Sequence, residues 1–222
     1  MPDGAADDEQ AAAGRVDLVI FDCDGVLVDS EPLANRVFAA LLTEEGLSTT
    51  YEQSVERYMG LPMDAAVALV EADLGRPVRP DLLDVYHERI FAAFDDGLRA
   101  VPGIAAALDA LTTASCVASS GEHRKIRRSL ALTGLLSRFE GRIFSATDVP
   151  RGKPFPDLFL HAAATLGADP ARCTVVEDSP AGVAAGRAAG MRVLGYAAMT
   201  PAVRLADAHA TFVDMAALPG LL

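Results

Sequence analysis

The 222-residue chain is 51% hydrophobic with a formal net charge of -12. It can therefore bury a sizeable core, and its acidic balance speaks against a nucleic-acid partner, whose phosphates are held chiefly by Lys and Arg. No apolar run approaches the ~20 residues needed to span a membrane. The three cysteines, Cys23, Cys116 and Cys173, lie in or beside short apolar runs without CxxC or Cys/His spacing. That pattern is expected of buried, reduced thiols in a cytoplasmic protein.

Residues 1–14, MPDGAADDEQAAAG, are small, polar and acidic, and lack the basic start and apolar centre of a secretory signal. They read as a disordered tail, with the fold beginning near Arg15. VDLVIF (16–21) reads as a buried strand. From about Pro32 to Leu98 no strand is evident. Four helical patterns follow one another instead: PLANRVFAALLTEEG, TYEQSVERYMG, MDAAVALVEADLG and PDLLDVYHERIFAAFDDGL, several ending at Gly, a common helix stop. Past VPG (101–103), helical segments alternate with the strand-like runs SCVASS (115–120), GRIFS (141–145), CTVVED (173–178) and MRVLGY (191–196), and TFV (211–213) adds a further candidate. Alternating βα units predict an α/β fold with a doubly wound parallel sheet. The helical block reads as an all-α cap (31–100) inserted into a Rossmann-like core (15–30 and 101–222), hinged at Asp29–Pro32 and Ala100–Gly103. The alternative is one continuous helical layer on the sheet.

The first strand runs into FDCDGVLVDSE (21–31). Ligands of open α/β sheets bind beyond the carboxyl ends of the strands, where Asp22 and Asp24 fall. One of two carboxylates around a turn can attack while the other gives and takes a proton. Taken alone, the string also fits an acidic turn or cap. VVEDSPAG (175–182) ends another strand with Glu177 and Asp178 side by side. Ser179 fits an N-cap and Pro180 the first helical turn. If the two loops meet, at least three carboxylates converge. Two such charges ~4 Å apart repel by about 4 kcal/mol at an effective dielectric near 20. Either their pKa values rise or a hard cation with oxygen ligands, Mg²⁺, sits among them.

RGKPFPD (151–157) holds Lys153 in a loop just before a helix start. A solvated surface lysine is the bland reading; a partner for a phosphate and for Asp22 is the other. In VASSGEHRKI (117–126), Ser119 and Ser120 close a strand. Ser119 and Glu122 match a capping box, and the same helix start could hold phosphate oxygens. His123 is a minor candidate for substrate contact. His87, His161 and His209 have no partner at metal spacing. GxGxxG, GxxxxGK and GxSxG are absent.

These four segments, in this order, resemble the motifs of the haloacid dehalogenase superfamily, in particular its β-phosphoglucomutase-like branch with a helical cap. The resemblance covers nearly the whole chain from about Val16. It implies that Asp22 attacks phosphorus to form an aspartyl-phosphate and that Asp24 is the acid and then the base. It further implies that Ser119, Ser120 and Lys153 bind the phosphoryl oxygens. Mg²⁺ would be held by Asp22, the backbone carbonyl of Asp24, Asp178 and, directly or through water, Glu177. The family's dehalogenases and phosphonatases lack an acid at the position of Asp24, and the phosphonatases use a cap lysine, whereas residues 31–100 contain none. The mutases carry a histidine and an arginine about where Ala34 and Met63 stand. The expectation is an Mg²⁺-dependent phosphatase of small phosphorylated metabolites such as sugar or polyol phosphates, monomeric and without nucleic-acid or membrane partners. A hexose-phosphate mutase is the alternative. The Gly60-Leu61-Pro62 loop is expected to project over the site, with Glu31 at the hinge.

Overall fold

The computed structural model describes residues 16–61 and 63–222; the acidic tail 1–14, Arg15 and Pro62 lie outside the described residues. Six strands, β1 (Leu18–Phe21), β2 (Ala114–Ser119), β3 (Ile143–Ser145), β4 (Cys173–Glu177), β5 (Arg192–Tyr196) and β6 (Ala210–Phe212), form one sheet in the order β3-β2-β1-β4-β5-β6. Every pair is parallel. The strands fall within two residues of their sequence-based positions. They are short apolar runs because both faces are covered. Val19 and Phe21 pack on one side with Val117, Val176, Ile104 of α5 (Ile104–Ala110) and Ile126 of α6 (His123–Leu132). Leu18 and Ile20 pack on the other with Phe159 of α7 (Asp157–Thr165) and Val183 of α8 (Pro180–Ala188).

The chain leaves β1 for β2 and β3 on one side and returns for β4 on the other. This topological switch opens a crevice at the carboxyl end of β1. Between β1 and β2 lie the expected helices: α1 (Glu31–Glu44), α2 (Tyr51–Tyr58), α3 (Met63–Leu74) and α4 (Leu82–Gly97). Thr50 starts α2 with a capping box to Gln53, and Gly46 and Gly75 follow α1 and α3 at positive φ. Phe38, Leu42, Tyr58, Ala66 and Val70 form a cluster within this segment. Helix α4 serves two masters: Tyr86 packs on that cluster, whereas Ile90 and Phe94 join the cluster against the sheet. The insertion thus has its own small core and also leans on the sheet domain through α4 and, by Leu33, Ala34 and Val37, through α1.

The two linkers pair with each other. Asp29 N–H donates to the Arg99 carbonyl at 2.8 Å and Val101 N–H to the Leu27 carbonyl at 3.0 Å, around an antiparallel bridge between Val28 and Ala100. A two-stranded ribbon is stiffer to twisting than two independent chains. A second seam joins α4 to α6, where Arg124 and Arg128 lie over the Phe91 ring and Arg128 pairs with Asp95 through two nitrogens.

Candidate active site

Register builds the site. Phe21 stands opposite Val117 of β2 and Val176 of β4, so the next residue, Asp22, emerges level with Ala118 and Glu177. Its N–H donates to the Val176 carbonyl at 3.0 Å. Asp22, Glu177 and Asp178 are all buried, and each offers a carboxylate oxygen within 4.8 Å of the other two. Lys153 reaches in from the loop after β3. Its Nζ donates to Asp22 Oδ1 at 2.7 Å and to Glu177 Oε1 at 2.5 Å, with the Phe159 ring 5.0 Å away. Its side chain is only 3% exposed, so the solvated-lysine alternative is excluded.

Two glycines make room for this convergence. Gly25 sits at φ 75°, and a Cβ there would overlap the Asp178 carboxylate; a Cβ on Gly182 would overlap that of Glu177. Any larger residue at either position displaces a site carboxylate. Helix α8 starts as expected, with the Ser179 hydroxyl accepting from Gly182 N–H and Pro180 in the first turn. Glu177 spends its second oxygen on the Ser179 N–H and hydroxyl, both at 2.9 Å. Its two oxygens are therefore engaged by protein donors, which favours a water-mediated over a direct contact with any cation.

Burial raises the Asp22 carboxyl to about 7, against Lys153, which lowers it, and with Glu177 and Asp24 adding to the rise. Asp178 is pushed well above the usual carboxylate range by burial, then by Glu177 and Asp22. Three oxygen donors too close and too buried to ionise together, with a glycine making space beside one of them, fit a small divalent cation.

The end of β2 differs from the capping expectation. The strand runs through Ser119, α6 starts at His123, and its N-cap Glu122 makes no side-chain cap. Ser119 lies too far ahead of the helix to cap it. Its buried hydroxyl accepts from Gly121 N–H at 3.2 Å, which leaves its own proton able to donate. Ser120 is exposed at the next position. The Ser145 hydroxyl donates to the Gly121 carbonyl at 2.7 Å and steadies this turn. His123 is taken up by Asp148, with Nε2 2.8 Å from Oδ1. Gly60 faces Pro180 at the start of α8, and Arg204 donates to the Met59 carbonyl at 3.1 Å. The described part of the Gly60–Leu61 loop therefore stands beside the start of α8; Pro62 lies outside the described residues.

Lys125 was not anticipated from sequence. From α6 its Nζ donates to Asp24 Oδ2 at 2.6 Å. Burial raises the Asp24 carboxyl, but Lys125, by charge and hydrogen bond, together with the Ser30 hydroxyl and the Lys153 charge, turns the net direction down. A compositional signal was present: the chain has only two lysines, Lys125 and Lys153, beside seventeen arginines. Each lysine contacts one of the two aspartates of the first loop.

The haloacid dehalogenase-like hydrolase family profile matches residues 16–190. The chain belongs to this family. Among its relatives, the 6-phosphogluconate phosphatase of Escherichia coli K12 is 34% identical over 83% of this chain and 84% of its own. Hexitol phosphatase A of the same strain is 33% identical over 84% and 85%. A solved haloacid dehalogenase-like protein of unknown function from Agrobacterium tumefaciens superposes with a TM-score of 0.87 at 38% identity, covering 93% of this chain and 97% of that one. The parallel α/β fold described above is the one this chain shares with that solved relative.

Proposed function

We propose that this haloacid dehalogenase-like hydrolase uses Asp22 as nucleophile and Asp24 as acid and base, in a site completed by Mg²⁺. The chain is a phosphoric monoester hydrolase of small phosphomonoesters, as its named relatives are. The observation that carries the residue assignment is the buried Asp22 carboxylate, held by Lys153 and facing Asp178 at the crevice mouth.

In the first half-reaction an Asp22 oxygen bonds to phosphorus as the ester P–O bond breaks. The departing electron pair stays on the leaving oxygen, which takes a proton from Asp24. In the second, water loses a proton to Asp24 as its oxygen bonds to phosphorus and the Asp22–phosphorus link breaks. Phosphate leaves and both carboxylates return to their starting states. Asp22, Asp178 and the Asp24 carbonyl would hold the cation, with Glu177 behind a water; when bound, the ion neutralises phosphoryl charge. Lys153 opposes the burial that raises Asp22 and, with the cation, favours its ionised form turned toward the substrate. Ser119 and Ser120 are proposed to donate to the phosphoryl oxygens. Residues 31–100 act as a cap over the crevice, excluding bulk water.

The proposed substrates are sugar or polyol phosphates. Glu31, whose carboxyl is raised by burial and then by Asp24 and which is held by Asn35 at 3.2 Å, offers a polar group near Asp24 for hydroxyls. Ala34 packs against the sheet cluster and Met63 against the cap cluster. Neither presents a polar group for a second phosphate, which supports hydrolysis over a mutase reaction. Three unpaired, buried cysteines are in keeping with a reducing compartment, and the cytoplasm is the location proposed; among the described residues no helix is long and apolar enough to cross a membrane. The test is phosphate release from a panel of sugar and polyol phosphates with Mg²⁺ or EDTA. Release should require the ion and fall at least a thousandfold in Asp22→Asn. Turnover undiminished in that variant would refute the nucleophile assignment.

A further inference from the structure

Lys125 and the two oxygens of Asp24 carry an inference beyond the roles already given. Asp24 Oδ2 accepts from Lys125 Nζ at 2.6 Å, whereas Oδ1 is buried and has no donor within hydrogen-bond geometry among the described residues, the Ser30 hydroxyl being near enough only to help lower this carboxyl. A buried carboxylate oxygen without a donor is uncommon in folded proteins. Here the two oxygens are divided: one is held by an ammonium and the other lacks a donor at hydrogen-bond distance.

The holder is itself fixed. The Lys125 ammonium lies 5.9 Å from the centroid of the Phe94 ring, within cation–π reach. Phe94 is fully packed on α4. The neighbouring turns of α6 are tied to α4 through Arg128, Asp95 and Phe91. A lysine suits this place better than an arginine, because a compact ammonium can sit between one carboxylate oxygen and a ring face without a second fork of donors to satisfy. In a chain with only one other lysine, Lys153, against seventeen arginines, the lysine stands where that geometry is needed.

We propose that Lys125 is a positioning residue for the acid–base step: it anchors Asp24 by Oδ2 and so leaves Oδ1 to face the reacting oxygen. This rests on the reading of Asp24 as acid and base. Lys125 touches neither phosphoryl group nor leaving oxygen and acts through Asp24 alone. Without it the carboxylate can rotate about its side-chain torsions, and the fraction of time Oδ1 is aimed correctly falls. A lost fraction of correct aim lowers kcat and leaves substrate binding unchanged.

The experiment compares Lys125→Met, Asp24→Asn and the double variant in steady-state hydrolysis of an alkyl phosphate such as glycerol phosphate, with saturating Mg²⁺. Methionine keeps the stem's packing and removes the ammonium. The expected result is a ten- to hundredfold loss of kcat in Lys125→Met with KM within twofold. Asp24→Asn should lose more, and adding Lys125→Met to it should cost nothing further. A Lys125→Cys variant treated with 2-bromoethylamine, whose bromide the thiolate displaces to rebuild an ammonium at similar reach, should recover most of the lost kcat. Lys125→Met with unchanged kcat, a loss confined to KM, or a full further loss in the Asp24→Asn background would each overturn the proposal while leaving the Asp24 reading intact. Unchanged kcat in Asp24→Asn would instead overturn that reading and this proposal with it.

Discussion

Removing the cation should make the protein less stable as pH rises, opposite to the behaviour of ordinary ion-paired carboxylates. The Asp22 carboxyl is raised from 3.8 to about 7 in the folded chain, so between these values the native state holds a proton that the unfolded state has released. The associated stability is present below pH 3.8 and lost as pH climbs through about 7. At 1.36 kcal/mol per pKa unit the full difference is about 4 kcal/mol, of which roughly 2–3 kcal/mol falls between pH 5 and pH 8. Asp178, raised by burial, adds in the same direction. His209 is lowered, chiefly by burial, and works in the opposite sense as pH falls below the ordinary imidazole value, so the quantity to read is the difference between the wild type and Asp22→Asn. Thermal unfolding in EDTA should place Tm roughly 5–10 °C lower at pH 8 than at pH 5, with a visibly flatter dependence in Asp22→Asn. Saturating Mg²⁺ should restore stability at pH 8 and do little at pH 5, where protons compete for the same oxygens. A wild-type protein equally stable at both pH values in EDTA, or a loss of the same size in Asp22→Asn, would refute the account of the carboxylate cluster.

Replacing Lys153 by Met leaves Asp22 and Glu177 buried without their shared cation. The cost should be about 3–5 kcal/mol in the metal-free protein, read by urea unfolding, together with at least a hundredfold drop in kcat. Gly25→Ala combines a left-handed backbone with a Cβ on the Asp178 carboxylate. About 1–2 kcal/mol of backbone strain should appear in unfolding, and displacement of Asp178 should weaken Mg²⁺ affinity roughly ten- to hundredfold by calorimetry. Wild-type affinity in that variant would show that Asp178 is not a ligand.

Sequence alone determined the strands, the inserted helices and the loops on which chemistry falls, because these depend on local pattern. Buried parallel strands are short apolar runs, helices keep a 3.6-residue period, and caps and stops are read within a few residues. Asp22, Asp24, Glu177 and Asp178 were legible because each closes or follows such a run, and the order of the four loops carried the family resemblance. The tertiary structure alone decided which charges meet. Lys153 lies 131 residues from Asp22, and Lys125 lies 101 from Asp24. Those meetings depend on the register of β1 with its two neighbours and on which turn of α6 faces the crevice. Local pattern had suggested a capping role for Ser119, yet strand β2 continues through that residue and leaves its hydroxyl on the turn. Glu177 and Asp178 look alike in sequence, but only the fold shows both oxygens of Glu177 taken by Lys153 and Ser179. The helical block likewise reads as one unit along the chain, whereas packing gives α4 to both cores. Charge at a distance in sequence leaves no periodic trace; in this chain its one compositional trace is the pair of lysines, each beside a first-loop aspartate.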